Sequence, residues 1–327
     1  VLPGGPTYLL SWLDIPKDAD GNPIYTGPYK NTPAGVKAFE KAVACSKDNR
    51  TITFTLNKSV ADFNYLATYG VISPVQKSKD TGDKYDLKPQ ATGPYTIAEN
   101  SATQLKLVMD QLMLNDSIPN AINFDGPLPT NRNAFFDEPK YASRVMNNPD
   151  PYARYFAFNL AKMPCLEIRA AMYYARNAKA ILDYAGGERF AGSYATGSIS
   201  PLVALDYAPT KVVGPGSPDF KPEGNVAKAQ SYMDAAKTKC PADYKKATVD
   251  GITIDVRQSV TLNDTIPIDQ AAYGRVGIKV NYNIISSGYY STVMNPAKQS
   301  DLSASGWGAD WANASTVIPE LFTTAGG

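Results

Sequence analysis

The sequence predicts an α/β fold, and two patterns in its C-terminal third carry that prediction. Strand-like stretches lie at residues 251–256, 277–282 and 301–307, and a stretch with helical character, residues 263–274, separates the first two. Strands that alternate with helices are typical of a mainly parallel sheet. In such a sheet, ligands bind beyond the carboxyl ends of the strands.

The N-terminal part of the chain is richer in turns. Residues 51–56 alternate polar and apolar side chains, which predicts a half-buried strand, and residues 104–108 repeat the pattern. Glycine and proline punctuate residues 1–40. The stretch 109–136 lacks periodicity and changes character abruptly at Asp110, so we expect a segment to be absent there.

The strongest helical pattern follows Pro164. Apolar residues recur at i, i+3, i+4 and i+7 from Ile168 to Leu182, and Gly186 and Gly187 come directly after. This spacing predicts one helix that ends at the two glycines.

A strand at 154–159 precedes this helix, and a second helix follows it. Residues 186–224 are rich in Gly and Pro and predict a linker. Asn225 is suited to cap the next helix, because its side-chain oxygen can accept a backbone N–H of the first turn.

The composition excludes several classes of function. The 327 residues include no His, and 32 Lys and Arg nearly balance 31 Asp and Glu. The chain therefore lacks the basic footprint of a nucleic-acid-binding protein. Without His, these residues hold no Ser-His-Asp triad and no His-ligated zinc. Nucleotide-binding and serine-hydrolase motifs are also missing, so neither a cofactor nor a metal site is predicted.

The most specific chemistry lies near the C-terminus. Trp307 and Trp311 bracket Asp310, and Gly306 and Gly308 allow another backbone to come close. A carboxylate between aromatic rings suits an ammonium group, through charge-assisted hydrogen bonds and cation–π attraction. The alternative is structural, with a Trp in the core and an Asp that caps a helix.

Five groups of segments follow one another in the order found in a known family. They are Thr92–Tyr95 (TGPY), Tyr155–Asn159 with Pro164 and Arg169–Ala175, Ser200–Pro201 with Tyr207, Gly277–Val280, and Gly306–Asp310. Together they resemble extracellular solute-binding protein family 5, the dipeptide- and oligopeptide-binding proteins of ABC importers. Arg176 stands where the family often has an acidic residue, and we expect no functional consequence.

The resemblance implies a two-lobed, periplasmic-binding-protein-like clamp of type II that binds peptide between its lobes and is not an enzyme. The family's acidic residue in this segment holds the peptide α-ammonium group, which implies that role for Asp310. By the same resemblance Trp307 and Trp311 line the pocket, and the backbones of Gly306 and Gly308 pair with the peptide.

The resemblance also implies an organisation and a location. Family members are usually longer, so we expect missing N-terminal, internal and C-terminal segments. Residues 1–88 would be part of an inserted small subdomain, residues 89–150 part of the first lobe and residues 151–327 part of the second. The protein would be a monomer, periplasmic or tethered to the cell surface by a lipid on a missing N-terminal segment. Its partners would be a peptide and an ABC-transporter permease, with no nucleic acid.

The three cysteines fit an exported protein, which can keep disulfides. The resemblance places Cys165 and Cys240 in the same lobe, and we expect them to pair. Cys45 would be unpaired or bonded to a residue outside this chain.

The sequence leaves three alternatives open. The abundant Tyr residues also suit an oligosaccharide or another solute. A scaffold or sensor lipoprotein could have kept the fold and lost transport. A hydrolase that uses two carboxylates is the alternative from another class.

Overall fold

The computed structural model describes residues 8–29, 31–69, 72–90, 95–101, 104–109, 131–143, 145, 147–148, 150–212 and 214–322. The chain divides into two compact units, residues 1–126 and residues 127–327. The finer division into parts of three segments stays a prediction. Most of the TGPY segment and residues 110–130, where we expected a break in the sequence, lie outside the described residues.

The N-terminal unit combines short helices with two hairpins. Its helices are α1 (Tyr8–Trp12), α2 (Pro33–Ala42) and α3 (Phe63–Ala67), with 3-10 turns at Lys77–Lys79 and Gly82–Leu87. Its strands are β1 (Val43–Cys45), β2 (Ile52–Phe54), β3 (Tyr95–Asn100) and β4 (Leu105–Met109). The antiparallel pairs are β1 with β2 and β3 with β4, so both strands predicted here are confirmed. A small core surrounds Leu13 and Tyr25.

The C-terminal unit contains a four-stranded sheet flanked by helices. Its strands are β5 (Tyr152–Phe158), β6 (Ile252–Arg257), β7 (Val280–Ile285) and β8 (Leu302–Gly308). Its α-helices are α4 (Arg132–Asp137), α5 (Leu166–Ala175), α6 (Ala178–Tyr184), α7 (Glu188–Ala191), α8 (Val226–Lys239), α9 (Pro241–Lys245), α10 (Leu262–Gly274), α11 (Tyr289–Val293) and α12 (Ile318–Phe322). Single turns lie at Pro139–Tyr141, Gly214–Gly216, Lys246–Asp250 and Ala314–Thr316.

The sheet is mixed, with strand order β5-β8-β6-β7. Strand β6 is parallel to both β7 and β8, as predicted, whereas β5 is antiparallel to β8. Strand β7 begins three residues later than predicted, because Gly277 adopts a positive φ of 74° and the chain turns there.

The core of this unit lies between helices α5 and α8 and the sheet. Its largest buried side chains include Ile168, Met172, Met233, Ile254 and Leu302. Asn225 caps α8 as predicted, with its Oδ1 accepting the N–H of Lys228 at 3.1 Å.

The predicted disulfide is present. Cys165, just before α5, is bonded to Cys240, just after α8, with a Cα–Cα distance of 6.2 Å. Cys45 is a free, exposed thiol. The disulfide ties together the two helices that cover the core.

The single long helix predicted after Pro164 is wrong, because it is two helices. Arg176 is extended, with ψ 134°, and Asn177 starts α6 by accepting the N–H of Ala180. The Arg176 guanidinium lies 4.5 Å from the centroid of the Phe156 ring, and its Nε lies 4.0 Å from Asp269 Oδ1. These tertiary contacts accompany a break that the apolar periodicity does not reveal. No helix among the described residues is long and apolar enough to cross a membrane.

Candidate functional site

The predicted site residues lie at the carboxyl end of β8, where it runs beside the start of β5. In this antiparallel register Tyr152 is opposite Gly308, and Arg154 is opposite Gly306. Asp310 follows two residues after the strand. The Asp310 segment is therefore positioned by the strand pair.

The hydrogen-bonding pattern between β5 and β8 decides which backbone groups of β8 bond to β5 and which point toward the opposite edge. Asn159 N–H donates to the carbonyl of Asp301, and Ala309 N–H donates to the carbonyl of Pro151, at 2.9 and 3.2 Å. Because such bonds alternate along an antiparallel pair, the odd-numbered residues of β8 bond to β5. Gly306 and Gly308 therefore direct their N–H and C=O groups toward the opposite edge.

Among the described residues, no strand pairs with that opposite edge beyond the middle of β8. Strand β6 pairs with β8 only at Leu302 and Ser303, and the Tyr289 hydroxyl donates to the Ala304 carbonyl. In the part of the chain that the structure describes, no hydrogen bond uses the N–H or C=O of Gly306 or Gly308. The edge can therefore accept another extended chain.

Tyr152 explains why glycines occupy these two positions. A Cβ built on Gly306 would lie 2.2 Å from Tyr152 Cε1, and one built on Gly308 would lie 2.8 Å from Tyr152 Cδ2. The close approach that we expected from another backbone is thus made on this face by a tyrosine ring. Backbone approach remains open along the strand edge.

Trp307 is anchored on the opposite face of the strand, since side chains alternate along β8. Its Nε1 donates to the Thr316 carbonyl at 2.7 Å, and it packs against Ile199, Val203 and Val317. Packing of this kind matches the structural alternative considered for this residue. Trp311 is buried, with 9% of its surface exposed. Their roles as pocket walls stay predictions.

Asp310 lies close to a second carboxylate that the sequence did not single out. Glu320, in the first turn of α12, has a raised pKa because it is partly buried and because the negative charge of Asp310 acts on it. Asn313 accepts the N–H of Ser315 at 2.8 Å and so caps the turn that follows the strand. No periodicity links Glu320 to Asp310, so sequence patterns could not have paired them.

One group among the described residues has the spacing of a metal site. It consists of Cys165, Glu167 and Cys240. Because its two sulfurs are joined in a disulfide, it offers no thiolate ligands.

The C-terminal unit thus combines an α/β sheet, unpaired backbone groups at one strand edge and two neighbouring carboxylates. The sequence profile of bacterial extracellular solute-binding proteins, family 5 middle, matches residues 120–327. This match covers more than half of the chain, and the chain belongs to that family. No curated protein sequence matches it at a significant level.

Solved structures of peptide-binding proteins share the fold. The clavulanic acid biosynthesis oligopeptide binding protein 2 is 21% identical with a TM-score of 0.67, over 100% of this chain and 62% of that one. The Escherichia coli murein tripeptide binding protein MppA is 17% identical with a TM-score of 0.62, over 87% and 58%. The periplasmic binding protein DppA from Helicobacter pylori, in complex with peptide STSA, is 17% identical with a TM-score of 0.59, over 85% and 56%.

These likenesses confirm the predicted fold class, the α/β fold of the two-lobed peptide-binding proteins. The chain spans less than two thirds of the length of each of these three proteins (62%, 58% and 56%, respectively). The family and its structural neighbours are binding proteins.

Proposed function

We propose that the protein captures peptides outside the cell for uptake by an ABC importer. Asp310 would hold the free N-terminal ammonium group, and the backbone groups of Gly306 and Gly308 would pair with the peptide. The observation that carries this proposal is the open edge of β8, whose unused N–H and C=O groups end two residues before a carboxylate.

The chemistry suits a ligand whose side chains vary. Hydrogen bonds to the main chain of a sheet edge bind any extended peptide, because every peptide offers the same backbone groups. A terminal ammonium group adds a charge-assisted hydrogen bond to a carboxylate. Glu320 would strengthen the local negative potential that attracts this cation.

The structural neighbours support a peptide rather than a sugar as the ligand. One neighbour is named for a murein tripeptide, and another was solved with the peptide STSA. Trp307 and Trp311 would form apolar walls beside the peptide.

The remaining partners follow from the same proposal. The whole protein would close its lobes on the peptide and dock as a monomer on a permease, without catalysis. A periplasmic location and a lipid tether at the cell surface are both compatible with it.

Calorimetric titration of the protein with a mixed pool of short peptides tests this proposal. The same pool, N-acetylated, is titrated beside it. We expect acetylation and Asp310→Asn each to weaken binding about tenfold or more, the usual size for a hydrogen bond to a charged group. Asp234→Asn, an exposed carboxylate of α8, is the matched control and should leave binding unchanged.

Two outcomes would contradict the proposal in different ways. If both pools bind equally well, the ligand is still a peptide, but Asp310 does not bind its ammonium group. If neither pool gives a heat of binding and the protein is folded, peptide capture is wrong, and the oligosaccharide-binding and scaffold alternatives are favoured instead.

A further inference from the structure

An arginine of β5, Arg154, lies across β8 from the open strand edge. Arg154 is exposed, and its guanidinium carbon lies 5.3 Å from the centroid of the Tyr152 ring. Among the described residues, no carboxylate forms an ion pair with Arg154. Its hydrogen-bonding groups are therefore available to a ligand.

The sheet geometry decides which part of a bound peptide would meet this cation. Arg154 is directly opposite Gly306, and residues opposite each other on neighbouring strands carry their side chains on the same face. A peptide that pairs with the open edge at Gly306 would thus place one side chain on the face that carries Arg154. Gly306 lies between them without a side chain, but the ring of Tyr152 fills the space above it, so the Arg154 guanidinium would reach the peptide over this ring.

The distances across this face suit a long cation and an acid. Two strand spacings of ~4.8 Å separate β5 from a peptide on the far side of β8, which is about 9.6 Å. The side chains of Arg and of Asp or Glu together span this gap. Tyr152 fills the space above Gly306 and supports the guanidinium from below, which reduces the freedom that Arg154 loses on binding.

Arg176, on the same side of the sheet, is a guanidinium that has both an aromatic ring and a carboxylate as neighbours. It packs over Phe156, two residues after Arg154, and its charge faces Asp269 at 4.0 Å. Arg154 also lies over an aromatic ring, that of Tyr152, but among the described residues it has no carboxylate partner. The missing partner of this arrangement is a carboxylate, which arginine binds through two parallel hydrogen bonds.

We propose that Arg154 is a specificity-determining residue that binds an acidic side chain of the peptide, at the residue that pairs with Gly306. This inference rests on the proposed function, because it requires a peptide backbone along β8. Since the backbone at that residue is already paired, the carboxylate comes from an Asp or Glu side chain. The site therefore prefers acidic peptides.

Matched tetrapeptide amides test this preference. Alanine peptides with one Glu at the second, third or fourth position are compared by calorimetry with peptides that carry Gln there. The C-terminal amide leaves Glu as the sole carboxylate. At one position we expect Glu to bind about tenfold or more tightly than Gln.

The variants then assign the preference to one residue. Arg154→Gln should abolish the difference in affinity between the Glu and Gln peptides. Arg154→Lys should reduce this difference, because lysine keeps the positive charge but cannot form two parallel hydrogen bonds to a carboxylate. Arg50→Gln removes an exposed arginine of the N-terminal unit and should leave the difference intact.

The results that would overturn the inference are distinct from failure of the proposed function. Equal binding of Glu and Gln at every position, with both weakened by Asp310→Asn, overturns the role of Arg154 alone. A Glu preference that survives in Arg154→Gln does the same. If no peptide amide and no mixed pool binds the wild-type protein, both proposals fall.

Discussion

The ring of Tyr152 lies against the backbone of Gly306 so closely that a single added methyl group would clash with it. The Cβ of an alanine there would lie 2.2 Å from Tyr152 Cε1 and 3.0 Å from the carbonyl oxygen of Ala153. The glycine and the tyrosine thus form one structural unit, which sets the shape of the strand edge.

Gly306→Ala should therefore destabilise the protein by about 1–3 kcal/mol, the usual cost of overpacking. Urea unfolding measures this change. Gly274→Ala is the matched control, because a Cβ there meets nothing within 4 Å, and we expect no loss of stability. Adding Tyr152→Ala to Gly306→Ala should recover part of the loss. A Gly306→Ala protein as stable as the wild type would contradict the close packing.

Removing the disulfide should destabilise the protein strongly. Cys165 and Cys240 are 75 residues apart in sequence, and closing a loop of this size stabilises a fold by about 4 kcal/mol in the chain-entropy description. We expect the Cys165→Ala, Cys240→Ala double variant to lose most of that amount in urea unfolding. Cys45→Ser should change nothing, because this thiol is free and exposed. Equal stability of the double variant and the wild type would refute a stabilising role for the bond.

Asp269 should make stability fall as pH rises. Burial raises the pKa of this carboxyl, although Arg176 at 4.0 Å and the Tyr282 hydroxyl at 3.2 Å oppose the shift. The folded state then holds its proton more tightly than the unfolded state, so the free energy of unfolding decreases between the ordinary aspartate pKa of about 3.9 and the raised value.

The Asp269→Asn variant should lose this part of the pH dependence. Unfolding free energies are measured in urea from acidic to neutral pH for both proteins. Asp234→Asn, at an exposed position of α8, should follow the wild-type profile. Superimposable profiles for wild type and Asp269→Asn would show that the buried carboxyl does not titrate differently on folding.

Glu320 should couple peptide binding to pH. Burial and, after it, the charge of Asp310 raise the Glu320 pKa. An ammonium group bound at Asp310 offsets that charge and lowers the Glu320 pKa, so binding releases a proton. The affinity for free-amine peptides should therefore increase with pH above the ordinary glutamate pKa of about 4.3.

Titrations from pH 4 to pH 7 test this coupling, with Glu320→Gln as the comparison. We expect a weaker pH dependence in the variant, and the same weak dependence for N-acetylated peptides with either protein. An unchanged pH dependence in Glu320→Gln would separate this carboxyl from the ammonium site.

Local sequence patterns were sufficient to predict many of the strands and helices of the C-terminal unit. Strands β6 and β8 begin and end within one residue of the predicted 251–256 and 301–307, and α10 nearly matches the predicted helix at 263–274. The cap at Asn225 and the helix stop at Gly186 were also predictable. Each of these features depends on residues near one another in the chain, where periodicity, capping and glycine conformation act directly.

The tertiary structure decided the features that join distant residues. The helix break at Arg176 accompanies contacts with Phe156 and Asp269, and the raised pKa of Glu320 depends on where α12 folds back near Asp310. No spacing within one segment encodes either relationship.

The sequence by itself determined the fold class, the family and the disulfide pair of this protein. Its strand register decided the rest, placing Tyr152 over two glycines, Arg154 opposite Gly306, and the unused backbone groups of β8 on the open edge. The physical reason is that hydrophobic pattern specifies which residues form a strand, whereas neighbouring strands specify which edge and which face stay available.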